Sequence, residues 1–136
     1  FTPEPDMIHD CLGHVPPLVN HDYAGLLTTI GRAAVRAASG DHVLALKRLS
    51  WFSIEFGLIE EAGETRIFGA GILSSTGEIP FSLSANVERR PFVTAEVVET
   101  DYDWSKMQER LFVIPSFGFL RREVSDLVAR LGIDVT

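Results

Sequence analysis

The stretch from residue 42 to residue 61 constrains this chain more than any other. Leu44, Leu46, Leu49, Phe52, Ile54, Phe56 and Leu58 leave apolar groups on nearly every face of a helix. Such a helix is stable only when it is surrounded, so the rest of the chain must wrap it. With 136 residues, 46% of them hydrophobic, the chain is long enough to do so as one domain. The pattern predicts a helix over 42–61 with Glu55 in its middle.

The flanking segments supply the wrapping. Asp6 is a good N-cap for a short helix from Met7, which Pro16-Pro17 stop and Gly13 weakens in its last turn. Leu26, Leu27, Ile30, Ala33, Ala34 and Ala37 make a helical stripe over 20–38, capped by Asn20 or Asp22 and ended by Ser39-Gly40-Asp41. Gly63-Glu64 reads as a turn before a strand at Thr65–Phe68. Gly69-Ala70-Gly71 lets backbone come close to a ligand, Thr76-Gly77-Glu78 reads as a turn, and 78–84 as a short helix or irregular chain. Phe92–Val98 reads as extended, Asp103–Gln108 as a weak helical turn and Leu111–Pro115 as a strand. A last amphipathic helix over 119–131 turns Leu120, Val124, Leu127, Val128 and Leu131 inward. The sum is a mainly α domain with a few short β-strands.

Charge and composition remove several function classes. The net charge of −7 and the absence of a Lys/Arg run speak against nucleic acid as a partner. No apolar run approaches the ~20 residues of a membrane span. The single cysteine, Cys11, cannot close an internal disulfide. A cytoplasmic protein acting on a small molecule is the expectation, with the oligomeric state left open.

Two histidines and a carboxylate then stand out. His9 and His14 flank a short apolar helix, five residues apart. On a regular helix that spacing turns the rings about 140° away from each other. Both reach one ion only where the helix ends or distorts, and Gly13 with the prolines supplies an ending. The spacing therefore differs from the i, i+4 pair of the helical zinc proteases. Glu55 sits in Trp51-Phe52-Ser53-Ile54-Glu55-Phe56-Gly57, where a carboxylate is costly unless it is paired or bound to a metal. Two His and one carboxylate form the facial triad of non-haem iron(II) oxygenases. The same residues also suit a zinc hydrolase with Asp10 as its base, and Glu55 also suits a polar stripe or a structural ion pair.

Five stretches, in order, carry a resemblance that decides among these. They are Thr2-Pro3-Glu4-Pro5-Asp6; His9-Asp10 with Leu12-Gly13-His14-Val15-Pro16; Trp51-Phe52 with Glu55-Phe56-Gly57; Gly69 to Ser75 with Gly77-Glu78; and Gln108 with Leu111-Phe112-Val113. In these the chain resembles the tetrahydropterin-dependent aromatic amino acid hydroxylases. The resemblance implies that His9, His14 and Glu55 bind Fe(II), with tetrahydropterin and O2 as cosubstrates. It implies that Pro5, Trp51 and Phe56 line an aromatic pocket, and that Thr2, Gly71 and Ser74 hold the amino acid's polar end. Asp10 would lie near the pterin, and Glu4 and Ser75 would be supporting polar residues. The implied reaction is ring hydroxylation of an aromatic amino acid, most simply L-phenylalanine to L-tyrosine.

Some features depart from the family. Asp10 stands where the family usually has Glu, and Ser50 where it often has Tyr. Trp104 lies in a region near the active-site mouth and would narrow it. The family's pterin-stacking loop and carboxylate-binding Arg precede the Thr-Pro-Glu-Pro-Asp motif. The expectation is thus an iron-binding catalytic domain over 1–136 lacking its N-terminal portion.

Overall fold

The computed structural model describes residues 6–136. Asp6 opens the first helix, α1 (Met7–His9), by accepting a bond from the His9 N–H at 2.9 Å. The helix does not simply stop. It widens into a π-turn over Asp10–His14, closed by Val15 N–H donating to Asp10 O at 3.0 Å, and a 3-10 turn follows at Pro16–Val19. The prolines direct that last change, since they lack the N–H groups an α-helix would need.

Asn20 then caps α2 (His21–Arg36) through the N–H groups of Asp22 and Tyr23. Ser39 caps α3 (Gly40–Ser50) through the His42 N–H. Here the structure corrects the expectation of one helix over 42–61. The α-helix ends at Ser50, a second π-turn runs over Trp51–Glu55, and Leu58–Glu61 is a strand, β1. The apolar run was continuous because a buried strand and a buried helix share a composition. Gly57 marks the change. The ring is also not closed: Val43 and Leu44 remain 40% and 42% exposed.

A tight hairpin joins β1 to β2 (Glu64–Ile67). Its two turn residues, Ala62 and Gly63, both have positive φ, 52° and 79°, as a two-residue hairpin of this hand requires. Gly69-Ala70-Gly71 opens a one-turn helix, α4 (Ala70–Leu73), and α5 follows at Glu78–Ser82. The extended reading of Phe92–Val98 is also corrected. The strand, β3, lies earlier at Glu88–Pro91, and Thr94–Val97 is a helical turn, α6. Valine and phenylalanine suggested a strand, but burial of Thr94 and Val97 on one side of a turn prevails. Asp103–Gln108 forms turns without a helix.

Strand β4 (Arg110–Ile114) completes a four-stranded sheet in the order β2-β1-β4-β3. The hairpin pair is antiparallel, and β4 runs parallel to both β1 and β3. Helix α7 (Phe117–Arg130) packs chiefly on α2. Arg121 meets Asp22 near the start of both helices, while Arg32 and Arg36 reach the carbonyls of Val135 and Thr136 beyond the end of α7. The two helices therefore run in the same direction. Their shared core includes Tyr23, Leu26, Leu49, Phe52, Phe112, Leu120 and Val124, all essentially buried. Among the described residues no helix is long and apolar enough to cross a membrane.

Candidate metal centre

The two π-turns explain how the site assembles. Hydrogen bonds from i to i+5 place residues five apart nearly over one another, which an α-helix does not. The first π-turn brings His9 over His14, with ring centroids 4.7 Å apart. The second brings Trp51 over Phe56, stacked at 4.6 Å. The i, i+5 histidine pair is thus resolved by a distortion of the helix rather than by its end.

Glu55 comes from the second π-turn and meets both histidines. His9 Nε2 lies 2.9 Å from His14 Nε2 and 3.5 Å from Glu55 Oε2, and His14 Nε2 lies 3.3 Å from Glu55 Oε1. Ions that hold ligands at about 2.1 Å in adjacent octahedral positions space the donor atoms about 3 Å apart. The three side chains therefore fit a single cation, and one donor atom from each lies within 4.8 Å of the others. Burial pushes the Glu55 carboxyl above its ordinary range, the His9 ring opposes this, and the Asp10 charge adds to it. A carboxylate pressed this way gains from a cation more than an exposed one does.

Ser74 fixes the His9 ring. Its hydroxyl donates to Ala70 O at 2.8 Å and sits 2.9 Å from His9 Nδ1. The hydroxyl proton being used, the oxygen accepts from Nδ1–H, and the Nε2 lone pair is aimed at the other two donors. Ser74 thus stands beside His9, with its hydroxyl shared between the His9 ring and Ala70 O. Gly71 has a packing reason as well: a Cβ there would come within 2.8 Å of the Phe56 ring and 3.0 Å of Glu55 O. Ser75 is buried and accepts the Glu78 N–H at 3.2 Å.

The aromatic wall is larger than expected. Trp51 carries Phe56 on one face and Tyr102 on the other, the latter at 4.3 Å and 11°. Its indole N–H donates to Gln108 Oε1 at 3.2 Å, and the Gln108 amide donates to Asp103 O and Lys106 O. Buried Gln108 thereby ties the loop at 103–106 to the aromatic stack. Sequence reasoning missed Tyr102, which has no pattern around it, and left Gln108 without a role although it lies in a matched motif. A cleft of about 250 Å3 between α2 and α3 reaches Glu55 and Trp51, with Ile30, Ala34 and Leu46 in its walls. Asp10 is exposed on the first π-turn. Trp104 is 62% exposed and stands away from the three ligands, in a second cleft with Glu78 and Met107. Thr2, Glu4 and Pro5 lie outside the described residues.

Comparison with known proteins points the same way. Residues 1–134 match the model of the biopterin-dependent aromatic amino acid hydroxylases. The phenylalanine-4-hydroxylase of Chromobacterium violaceum is 41% identical over 118 residues, covering 86% of this chain and 40% of that protein. The tyrosine 3-monooxygenase of Schistosoma mansoni is 39% identical over 131 residues, covering 96% of this chain and 28% of that protein. The C. violaceum structure with bound oxidised Fe(III) superposes with a TM-score of 0.87 at 37% identity, covering 97% of this chain and 50% of that one. A second structure of that enzyme holds iron(III) and the oxidised cofactor 7,8-dihydrobiopterin, with a TM-score of 0.85 at 39% identity, covering 95% of this chain and 48% of that one. The chain thus spans half or less of these relatives.

Proposed function

Since the chain belongs to the biopterin-dependent aromatic amino acid hydroxylase family, we propose that it forms the iron-binding part of a monooxygenase that hydroxylates the ring of L-phenylalanine to give L-tyrosine. The observation that carries this is the convergence of His9, His14 and Glu55 beside the Trp51–Phe56 stack. Iron(II) bound there, with tetrahydropterin, supplies the electrons that activate O2.

The chain's own residues do the rest. The His9 and His14 imidazoles and the Glu55 carboxylate would hold the ion and leave it free to take further ligands. Ser74 sets the His9 tautomer. The apolar walls of the cleft beside Glu55 exclude water and accept an aromatic ring, and Trp51 is held in place by Gln108 and Tyr102. Thr2 and Gly71 are proposed to hold the amino acid's polar end, with Ser74 beside them, and Pro5 to border the ring. Exposed Asp10, next to a ligand, is proposed to face the pterin. An acidic chain with one cysteine suits a cytoplasmic setting.

A second reading has its own support: tyrosine 3-monooxygenases of Schistosoma mansoni and dog are 39% and 37% identical. On that reading the substrate ring already carries a hydroxyl. Product identification separates the two.

The test is metal content after anaerobic loading with iron(II), for the wild type and Glu55→Ala, followed by turnover with phenylalanine, tetrahydropterin and O2. One iron per chain, lost in the variant, and tyrosine as product are expected. Equal binding by both proteins would remove Glu55 from the ligand set and the reading with it.

A further inference from the structure

Tyr102 is the one member of the aromatic stack that belongs to two clefts. With Trp51 and Glu55 it lines the cleft of about 250 Å3 between α2 and α3. It also lines a cleft of about 560 Å3 bordered by charged groups, among them Asp101, Asp103, Lys106 and Arg110. No other described residue lines both. The half-buried Tyr102 ring is therefore a partition between an apolar space beside Glu55 and a charged one.

The partition is held from two directions. Its face lies on the Trp51 indole at 4.3 Å and 11°, and it stands perpendicular to Phe52 at 6.1 Å and 89°. The chain just before it is pinned to α3. Arg48 donates from Nη1 to Val98 O at 2.9 Å and pairs through Nη2 with Asp101. The Asp101 carboxylate is 90% exposed, so that ion pair adds little by itself, and the bond to the Val98 carbonyl is the firmer half of the clamp. Arg48 and Trp51, three residues apart, are neighbours on the helix surface. One side of the α3 end thus supplies both clamp and stack.

Small-molecule sites usually run from about 300 to 1,000 Å3, so the cleft beside Glu55 suits a single small ring. Without the Tyr102 ring it would open into a space more than twice its size. Water from the charged side would then reach its apolar walls. Resting on the reading of this cleft as the seat of the substrate's aromatic ring, we infer that Tyr102 is a specificity-determining residue. It restricts the cleft to one six-membered ring and disfavours a fused pair such as the indole of tryptophan, with Arg48 as the positioning residue that acts through it.

Toluene and 3-methylindole, the two side chains without their amino acid ends, serve as probes. Their dissociation constants are read by NMR titration of the metal-free protein, for the wild type, Tyr102→Phe, Tyr102→Ala and Arg48→Ala, with circular dichroism to check folding. The wild type is expected to bind toluene at least as tightly as the larger 3-methylindole, and Tyr102→Phe, which keeps the ring, to match it. Tyr102→Ala should bind toluene about 2- to 10-fold more weakly, the loss of one aromatic contact, and 3-methylindole no more weakly than before. Arg48→Ala should shift the ratio the same way by a smaller factor, which a merely structural role would not do. If Tyr102→Ala does not fold, Tyr102→Leu takes its place under the same criteria. An unchanged ratio in the Tyr102 variant, or a wild type that prefers 3-methylindole, overturns the inference and leaves the cleft as the ring's seat. A wild type that binds neither ring overturns both together, while iron loading of the wild type and Glu55→Ala tests the metal reading independently.

Discussion

The segment at 7–19 and the α2–α7 core are built by different rules. In the core, Leu26, Leu49, Phe112, Leu120 and Val124 are 0% exposed. In the segment, Met7 is 77% exposed, Leu12 58% and Val19 89%, and Gly13 is its one buried residue. Yet the segment brings two of the three ligands. An ion bound by the three donors would therefore sit between a buried wall carrying Glu55 and an arm with little hydrophobic burial of its own. Metal binding and folding stability should then respond to different substitutions.

The sharpest break of that contrast comes from paired truncations. Phe112→Ala empties a fully buried aromatic site and is expected to cost about 3–5 kcal/mol in denaturant unfolding. Leu12→Ala removes a side chain that is mostly in water and should stay within about 0.5 kcal/mol. Comparable losses for the two would mean that the arm is part of the cooperative core.

Glycines test the seam between the two regions. At Gly13 a Cβ would lie 2.6 Å from Ala70 Cβ and 2.8 Å from Ala70 Cα. Backbone cannot yield there as a flexible side chain would, so Gly13→Ala should push the arm off α4. A loss of about 1–3 kcal/mol is expected, with weaker metal binding, which isothermal titration would detect. Gly31, in α2, has nothing within 4 Å of its Cβ position. There the same substitution should stabilise by about 0.4–1 kcal/mol and leave the metal untouched. Equal signs at the two positions would show that the seam is not where the structure puts it.

Ser74 probes the site from behind. Ser74→Ala frees the His9 ring to rotate and to change tautomer, and should weaken metal affinity about 10- to 100-fold. The melting temperature of the apoprotein should move little, because Ser74 is only half-buried. A large loss of stability without a change in affinity would make Ser74 a helix-ending residue and nothing more.

These contrasts also mark what was legible in the sequence. Caps and amphipathic stripes were: Asp6, Asn20 and the face of α7 are local signals that packing did not override. The π-turns were not, because they depend on long-range contacts that favour widening a helix, and i, i+5 pairs then look misplaced. The end of α3 was hidden for a related reason, since apolar composition continues from the helix through the turn into β1. The grouping of His9, His14 and Glu55 was readable as chemistry and the structure brings them together, but the side chains packed behind them were not readable. Ser74 acts across 65 residues of chain on His9, and Tyr102 reaches Trp51 from a loop without periodicity.

The smallest effect is also the one that ties the two regions together. In the metal-free protein, burial raises the Glu55 carboxyl above its ordinary value of 4.5. The folded chain then keeps a proton that the unfolded chain has already released. Between the two values the unfolded state binds fewer protons, so stability falls as pH rises from about 4.5 through the raised value. Glu55→Gln cannot titrate. Its stability relative to the wild type should therefore grow with pH across that window and level off above it. A bound cation reverses the sign, because it favours the ionised carboxylate and competes with the proton. Metal affinity of the wild type should rise over the same window in which the apoprotein loses stability. Opposite slopes, measured by melting with and without metal, would place the cost of the site on the wall and its benefit on the arm. Parallel slopes would mean that Glu55 is not where proton and metal meet.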